Sequence, residues 1–384
     1  LGTSKVSGLL IDDLSTSTIH AFSSIETSGV KKGSIINIPT TASSISECFQ
    51  DIEQQSGFRI KEIFVSFSGE EISSTNSIGQ VAISEKEVSA RDIENALNMS
   101  STMKIPYDKT LLYVIPNSFS IDGQGDINDP LGMNGIKLEA RSHLIHCSKN
   151  TKENIKKCVK ASSPAIGIRK YFYNQFGVAH SVLTDFQKKL GVCVLDIGAG
   201  TTDISVYQNG SITFSKVLPY AGDYITETIG SALDIQSSDA EAIKKKYGCA
   251  FSDNIDDEML KISLEDVNKS ISRKALAELI EDSMSKILRN CLNSLEENNL
   301  LNYIPAGIVI TGGSANMEGM VKLGEKLSNL NFKIGIPKYN LPQKSENLVK
   351  PENSAILGMT KFHALEQDKE FTFNQSKGII ARVL

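Results

Sequence analysis

Val192-Cys193-Val194-Leu195-Asp196-Ile197-Gly198-Ala199-Gly200-Thr201-Thr202-Asp203-Ile204-Ser205-Val206 is the stretch whose reading decides the fold. Two β-prone runs flank a turn richer in glycine and threonine than a plain hairpin needs. The glycines of Gly198-Ala199-Gly200 let the backbone approach a ligand closely with N–H groups exposed. The Thr201 and Thr202 hydroxyls add donors, and together they form a cradle for phosphate oxygens. Asp196 ends the first run and faces the same turn, where a carboxylate suits a magnesium ion that keeps most of its waters and bridges protein to phosphates. Asp203 is placed to position a water or to close the turn by hydrogen bonding. No Gly-x-x-x-x-Gly-Lys-Ser/Thr occurs in the chain, and Asp203 stands where a dinucleotide fingerprint needs glycine or alanine.

An echo of this stretch opens the chain. Leu1-Gly2-Thr3-Ser4-Lys5-Val6 also runs apolar residue, glycine, hydroxyl-rich turn, strand, which implies two similar lobes that each begin with such a turn. Gly2, Thr3 and Ser4 supply the second cradle, and Lys5 is a point cation for β- and γ-phosphate charge. Further on, Ile308-Val309-Ile310-Thr311 breaks at Gly312-Gly313-Ser314, with a helix expected from about Asn316. The paired glycines offer bare backbone to a flat base, and Met317 is placed to pack on its face. Between these lies Ser238–Gly248, read as a helix with a Ser238/Glu241 capping box. Glu241 shares a face with Lys244 and Lys245; the three either meet ribose hydroxyls or pair with one another at the surface. Gly222 and Asp223 complete the candidate nucleotide contacts.

The surrounding pattern is α/β. Strands are expected at Val6–Ile11, Ile63–Ser68, Leu111–Pro116, Val192–Ile197, Ile204–Tyr207 and Ala306–Thr311. Helices are expected at Ile45–Gln55, Lys152–Ala161, Asp239–Tyr247 and Asn316–Leu327. From about 264 to 300, Ile271, Ala275, Leu279, Ile287, Leu288, Cys291 and Leu295 mark one long helix or two abutting ones. With 384 residues the chain is long enough for two core-bearing units. A net charge of −5 and the lack of a basic stripe interleaved with aromatics argue against nucleic acid as a partner. The six cysteines show no ligand-like spacing and read as reduced thiols of a cytosolic protein. His143 and His146, the only close histidine pair, fall on opposite faces of a strand, which disfavours a metal cluster. No apolar run approaches the roughly eighteen residues of a membrane span, and with Leu1 first the natural start is expected to lie upstream.

These elements, in this order, resemble the ATPase fold shared by actin, heat-shock chaperones and sugar kinases, and within it the FtsA family of bacterial division proteins. The likeness is specific outside the nucleotide turns, in Val65–Gly79, Asp129–Ala140, Asp239–Ala250 and Pro351–Gly358, and it covers essentially the whole chain. It implies a first-lobe scaffold at 1–71 and 149–190 with an insert at 72–148. The second-lobe scaffold then spans 191–222 and 301–363 with an insert at 223–300, and 364–384 is a linker leading into an amphipathic membrane helix. It further implies ATP with Mg2+ as ligand, self-association into filaments, and contacts to other division proteins through the first insert. The second insert would dock the C-terminal tail of FtsZ, and the protein would sit on the cytoplasmic side of the inner membrane at the division site.

Three departures from the family pattern bear on function. The family's first phosphate turn is preceded by an aspartate that helps hold the metal, and the sequence begins just after that position, so this half of the metal site is expected upstream of Leu1. The water-orienting Glu or Gln of hydrolysing relatives matches only loosely, at Asn174-Gln175, so turnover is expected to be slow or absent. An Arg-Tyr pair of the docking helix aligns with Ser283-Met284, which leaves Arg273, Lys274, Lys286 and Arg289 as the cations for an acidic tail. At the C-terminus, Ile380, Val383 and Leu384 fall at helical spacing beside Lys377 and Arg382. Seven residues from Gly378 are too few for a stable interfacial helix, so the stretch by itself is expected to hold anionic vesicles weakly. The rival readings are a pilus-assembly scaffold, which needs no terminal amphipathic helix, and a small-molecule kinase, which needs a catalytic Asp beside a pocket between the lobes.

Overall fold

Both faces of the strand Val192–Ile197 are buried, and this places it at the centre of the molecule. In the computed structural model, which describes residues 1–11, 19–102, 105–253, 255–264, 267–338 and 347–361, it is the middle of five strands. The order is Ser211–Leu218, Thr202–Gln208, Val192–Ile197, Ile308–Thr311, Phe332–Ile334, the first two pairings antiparallel and the last two parallel. Because side chains alternate along a strand, Cys193, Leu195 and Ile197 enter one core with Ile225, Ile280, Met284 and Leu288. Val192 and Val194 enter another, with Ala179, Val182 and Val309. The register sets Asp196 opposite Asp203 and Ile197 opposite Thr202.

The first lobe is built on two separate strand pairs. Lys5–Ile11 pairs antiparallel with Ile19–Glu26, and Glu62–Phe67 pairs parallel with Gly167–Tyr173. Over these strands lie the helices Ile38–Ser56 and Lys149–Ser162. The former starts where Asn37 accepts a bond from the Thr40 N–H and ends at Gly57 in the left-handed region. The first-lobe insert is a sheet of order Ser73–Ala82, Lys137–Ser148, Lys109–Ile121, Gln124–Ile127, backed by the helix Ala90–Ser101. It has a small core of its own around Ala96, Leu97, Phe119, Leu138 and Ala140. Its outer strand is tied to the edge strand of the second lobe by side chains. Ser74 Oγ donates to the Ser215 carbonyl at 2.6 Å, Asn76 Nδ2 to the Thr213 carbonyl at 3.1 Å, and His143 links Asn76 Oδ1 at 2.7 Å to Ser215 Oγ at 2.9 Å. Burial holds His143 well below the usual imidazole value, at about 4, so it is a neutral structural group.

Several expectations are corrected. Residues before 273 form a hairpin, Met259–Leu264 with Val267–Ser272, and the long helix is Arg273–Glu297 alone. Its buried stripe runs through Leu276, Ile280, Met284, Leu288, Cys291 and Leu295, and Ala275 is exposed. Ser283 and Met284 therefore face the core and are not surface counterparts of a docking pair. The helix expected from Asn316 begins at Met320, because Gly313–Asn316 forms a 3-10 turn first. No Ser238/Glu241 capping box forms: the helix Ser237–Tyr247 follows Gln236 without a side-chain cap, and Glu241 accepts from the Thr226 hydroxyl instead. All six cysteines are buried and unpaired. Among the described residues no helix is long and apolar enough to cross a membrane. The linker and terminal helix expected at 364–384 lie outside the described residues.

Two glycines let the lobes meet along a helix crossing. Gly177, in Asn174–Val182, touches Gly358 in the helix over 354–361 so closely that a Cβ on Gly358 would overlap the Gly177 carbonyl. Gly358→Ala is expected to destabilise the protein by about 3 kcal/mol or more in urea titration. Gly57→Ala, strained at φ +75 but facing open space, is expected to cost only about 1 kcal/mol. Equal costs would contradict the crossing.

Candidate functional site

The two glycine turns close in the same way. The Gly198 N–H donates to the Thr201 carbonyl at 3.0 Å, and the Gly2 N–H donates to the Lys5 carbonyl at 2.9 Å. The Gly198 N–H is thus used within its turn rather than offered to a ligand, a correction to the expected cradle. Its peptide neighbours are oriented by the helix Gly222–Leu233, whose Gly222 N–H donates to the Gly198 carbonyl at 3.1 Å and whose Asp223 N–H donates to the Ala199 carbonyl at 2.7 Å. Ser314 Oγ also donates to the Gly198 carbonyl, at 3.0 Å. Trans peptides carry N–H opposite C=O, so the Ala199 and Gly200 amides point away from that helix, toward the first lobe. Gly222, Asp223 and Ser314 accordingly hold the cradle, and Ala199 and Gly200 present it.

Facing them is Thr3. A Cβ on Gly200 would lie 2.6 Å from Thr3 Oγ1, so the two turns touch and only glycine fits. Thr3 Oγ1 accepts the Gly33 N–H at 3.0 Å. Gly312, at φ +87, runs against the Asp196 carboxylate with no room for a side chain, whereas Gly313 is exposed, and a Cβ there would meet only Glu352 Cβ, at 4.0 Å. Met317 packs against the second-lobe core.

Charge at the site is unbalanced. Asp196 is pushed up to about 7, chiefly by burial and then by Asp203, with Lys5 pulling it back. Burial pushes Asp203 up to about 6, opposed by the Ser68 hydroxyl that donates to it from the first lobe, by Tyr173 and by Thr201. Burial also lowers the Lys5 ammonium; Glu352 and Asp196 raise it, and Lys245, across the cleft, lowers it. Two facing cations with raised carboxylates beside them form a site that an anion and a divalent cation together would relieve. Among the described residues no three metal-binding side chains cluster. The donors fit magnesium held through one carboxylate, waters and phosphate oxygens, with Asp196 as that carboxylate.

Of the remaining candidates, Lys244 is consumed. Its Nζ donates to the Gly222 carbonyl at 2.9 Å and to Thr226 Oγ1 at 2.7 Å, and pairs with Glu241 at 2.5 Å. Lys245 contacts Glu241 at 3.4 Å but stays largely exposed, which leaves it the cation for a ligand. Gln175 is fully buried, its Nε2 donating to the Asp203 carbonyl at 2.9 Å and its Oε1 accepting from Ser205 Oγ at 3.1 Å. It braces the strand that carries Asp203 from within the core, with no surface open to solvent, whereas Asn174 Oδ1 is buried without a partner. The sequence reading passes over Ser68, Tyr173, Glu352 and the Lys32-Gly33 turn; only the last leaves a local sign, a residue-glycine pair between short β runs.

Removing the charge of Asp196 is expected to separate stability from binding. The folded state holds protons that the unfolded chain has released between about pH 4 and pH 7, so the native carboxylate destabilises the ligand-free fold increasingly as pH rises through that window. Asp196→Asn should melt with the native chain at pH 4 and above it at pH 8, while losing magnesium-dependent nucleotide affinity. A variant that melts lower than the native chain at pH 8 would contradict the assignment.

Residues 193–358 match the family model described as "Cell division protein FtsA", and residues 69–146 match "SHS2 domain inserted in FTSA". The chain is 34% identical to Cell division protein FtsA of Pseudomonas aeruginosa over 98% of its own length and 91% of that protein's. It is 31% identical to the Escherichia coli protein of the same description over 94% and 88%. Among solved structures it resembles the PilM-PilN type IV pilus biogenesis complex, with a TM-score of 0.67 at 15% identity, covering 94% of this chain and 96% of that one. It also resembles MreB5 of Spiroplasma citri bound to ADP, with a TM-score of 0.56 at 15% identity, covering 98% and 97%.

Proposed function

The chain belongs to the FtsA family of cell division proteins, with an actin-like fold, and on that footing we propose that it binds ATP and magnesium between its lobes, polymerises in the closed form and tethers FtsZ to the cytoplasmic membrane. The observation that carries the nucleotide reading is the direct contact of Thr3 with Gly200, which lets one phosphate group bridge both turns. A ligand shifts an equilibrium only by its differential affinity, and a γ-phosphate touching both lobes has such a preference for the closed state. Thr3, Ser4, Lys5, Ala199, Gly200 and Thr201 bind phosphates, Gly312 and Gly313 back the base, Lys245 completes the charge, and Asp196 holds the metal. Contrary to the sequence expectation, the buried Thr202 hydroxyl is engaged by the Tyr220 carbonyl and the Gly2 N–H by the Lys5 carbonyl. When bound, the metal would neutralise phosphate charge. With Gln175 engaged in bracing, hydrolysis is slow, and nucleotide acts mainly as a conformational ligand.

FtsZ docking is assigned to the exposed face of Arg273–Glu297. A cavity of about 390 Å3 there is lined by Tyr220, Tyr224, Lys286, Ile287, Arg289, Asn290 and Asn293. Arg273 is paired with Glu258 and Lys286 with Asp282, while Lys274 and Arg289 have no ion-pair partner among the described residues. An acidic tail therefore has Arg289 as its first anchor. The first-lobe insert is assigned to contacts between subunits and with later division proteins, and the C-terminal segment to anionic lipid.

Fluorescence polarisation of a labelled FtsZ C-terminal tail peptide against the full chain, with and without Mg-ATP, tests the tether. Saturable binding near micromolar affinity, about −8 kcal/mol, is expected. Arg289→Ala should weaken it about tenfold. No binding with the nucleotide site demonstrably filled would sink the docking reading.

A further inference from the structure

The turn joining Val30–Lys31 to Ser34–Ile35 carries a backbone that its sequence does not favour. Lys32 and Gly33 both sit in the left-handed region, at φ +49 and +76. Glycine adopts this freely, but the first position of such a turn ordinarily falls to Asn, Asp or Gly, and a lysine there is strained. Surrounding structure holds it: the Gly33 N–H is bound by Thr3 Oγ1, and the Lys32 carbonyl accepts the Glu70 N–H at 3.3 Å. The Lys32 amide nitrogen would lie 3.0 Å from a Cβ on Gly200, so the turn crosses to the second lobe at the point where the two cradles touch.

There the Lys32 ammonium stands over the Tyr220 ring, 5.7 Å from its centroid. Tyr220 belongs to the second lobe and is tied to the phosphate turn, since Thr202 Oγ1 donates to its carbonyl at 2.7 Å. Its ring meets Tyr224 edge-on at 6.3 Å, and both rings wall the cavity that Lys286 and Arg289 border. A single side chain thus has the phosphate cleft on one side and the groove of the long helix on the other.

We propose that Lys32 on Tyr220 is a latch between the lobes that couples occupancy of the cleft to the shape of the groove. It rests on the nucleotide and docking readings above and adds their regulation. A phosphate bridging the two touching turns at their shared rim fixes the turn that carries Lys32, the ammonium fixes the Tyr220 ring, and the ring sets one wall of the groove. Because coupling is reciprocal, an acidic peptide in the groove tightens nucleotide by the same factor that nucleotide tightens the peptide.

Release of a fluorescent ATP analogue from the full chain tests the latch without any peptide. Lys32→Met keeps the stem and removes the charge, and it should speed release about threefold. Tyr220→Leu should do the same, and the double variant should be no faster than either single one; both sites are partly exposed, and circular dichroism melts confirm folding. Unchanged release, or single effects that multiply, would overturn the latch. Tail-peptide affinity, measured with and without Mg-nucleotide, should differ about fivefold in the native chain and be equal in Lys32→Met. An undiminished ratio in the variant overturns the coupling. A native chain that binds no peptide defeats the docking reading and the coupling with it, while the release rates still decide the latch; a chain that binds no nucleotide removes both.

Discussion

Everything at the cleft depends on how two carbonyl groups are satisfied. Gly198 and Ala199 turn their oxygens onto the first amides of the helix Gly222–Leu233, and the peptide plane then leaves their neighbours' N–H groups no direction but the cleft. A helix start that elsewhere would meet an anion directly is used here one step removed, to orient a loop that does so. The glycines follow from this constraint. Gly222 has the Ser314 hydroxyl at 2.9 Å from where its Cβ would stand, and Gly200 has Thr3 at 2.6 Å. Substituting any of them moves the turn before it touches a ligand.

The central sheet was legible because burial on both faces writes itself as continuous apolar runs, and Val192–Ile197 was read to the residue. The echo between the opening residues and 197–206 was legible too, and the shared glycine-to-third-residue hydrogen bond gives it a physical basis. Helix boundaries were less so. The stretch after Gly313 reads as helical, but a 3-10 turn precedes Met320, and the stripe of the long helix is displaced because residues 267–272 belong to a hairpin. Partners distant in sequence left no trace: Ser68 reaches Asp203 across 135 residues, and nothing local to either announces it. Glu241 and Lys244 were legible as a pair but not as a clamp on Gly222, which only the packing of two helices creates.

The electrostatics of the site are those of a structure kept short of its optimum. Two carboxylates are held above their ordinary range, one lysine is held below its own, and a second cation looks on from across the cleft. Each group would be more stable in water, and the fold tolerates them because the cores on either side of the central sheet are large and apolar. Function and stability are thereby separated in space: the strands supply rigidity, and their ends carry the strain.

The side-chain ties from Ser74, Asn76 and His143 to the edge strand Ser211–Leu218 bear on how copies of this molecule can join. A bare sheet edge invites another chain to add a strand, and such growth is hard to reverse. Here one edge of the central sheet lies beneath the insert, and the other, Phe332–Ile334, is three residues long. Neither end can template a continuous ladder. Copies that join therefore do so without continuing the ladder of the central sheet, and such contacts can come apart without unfolding it.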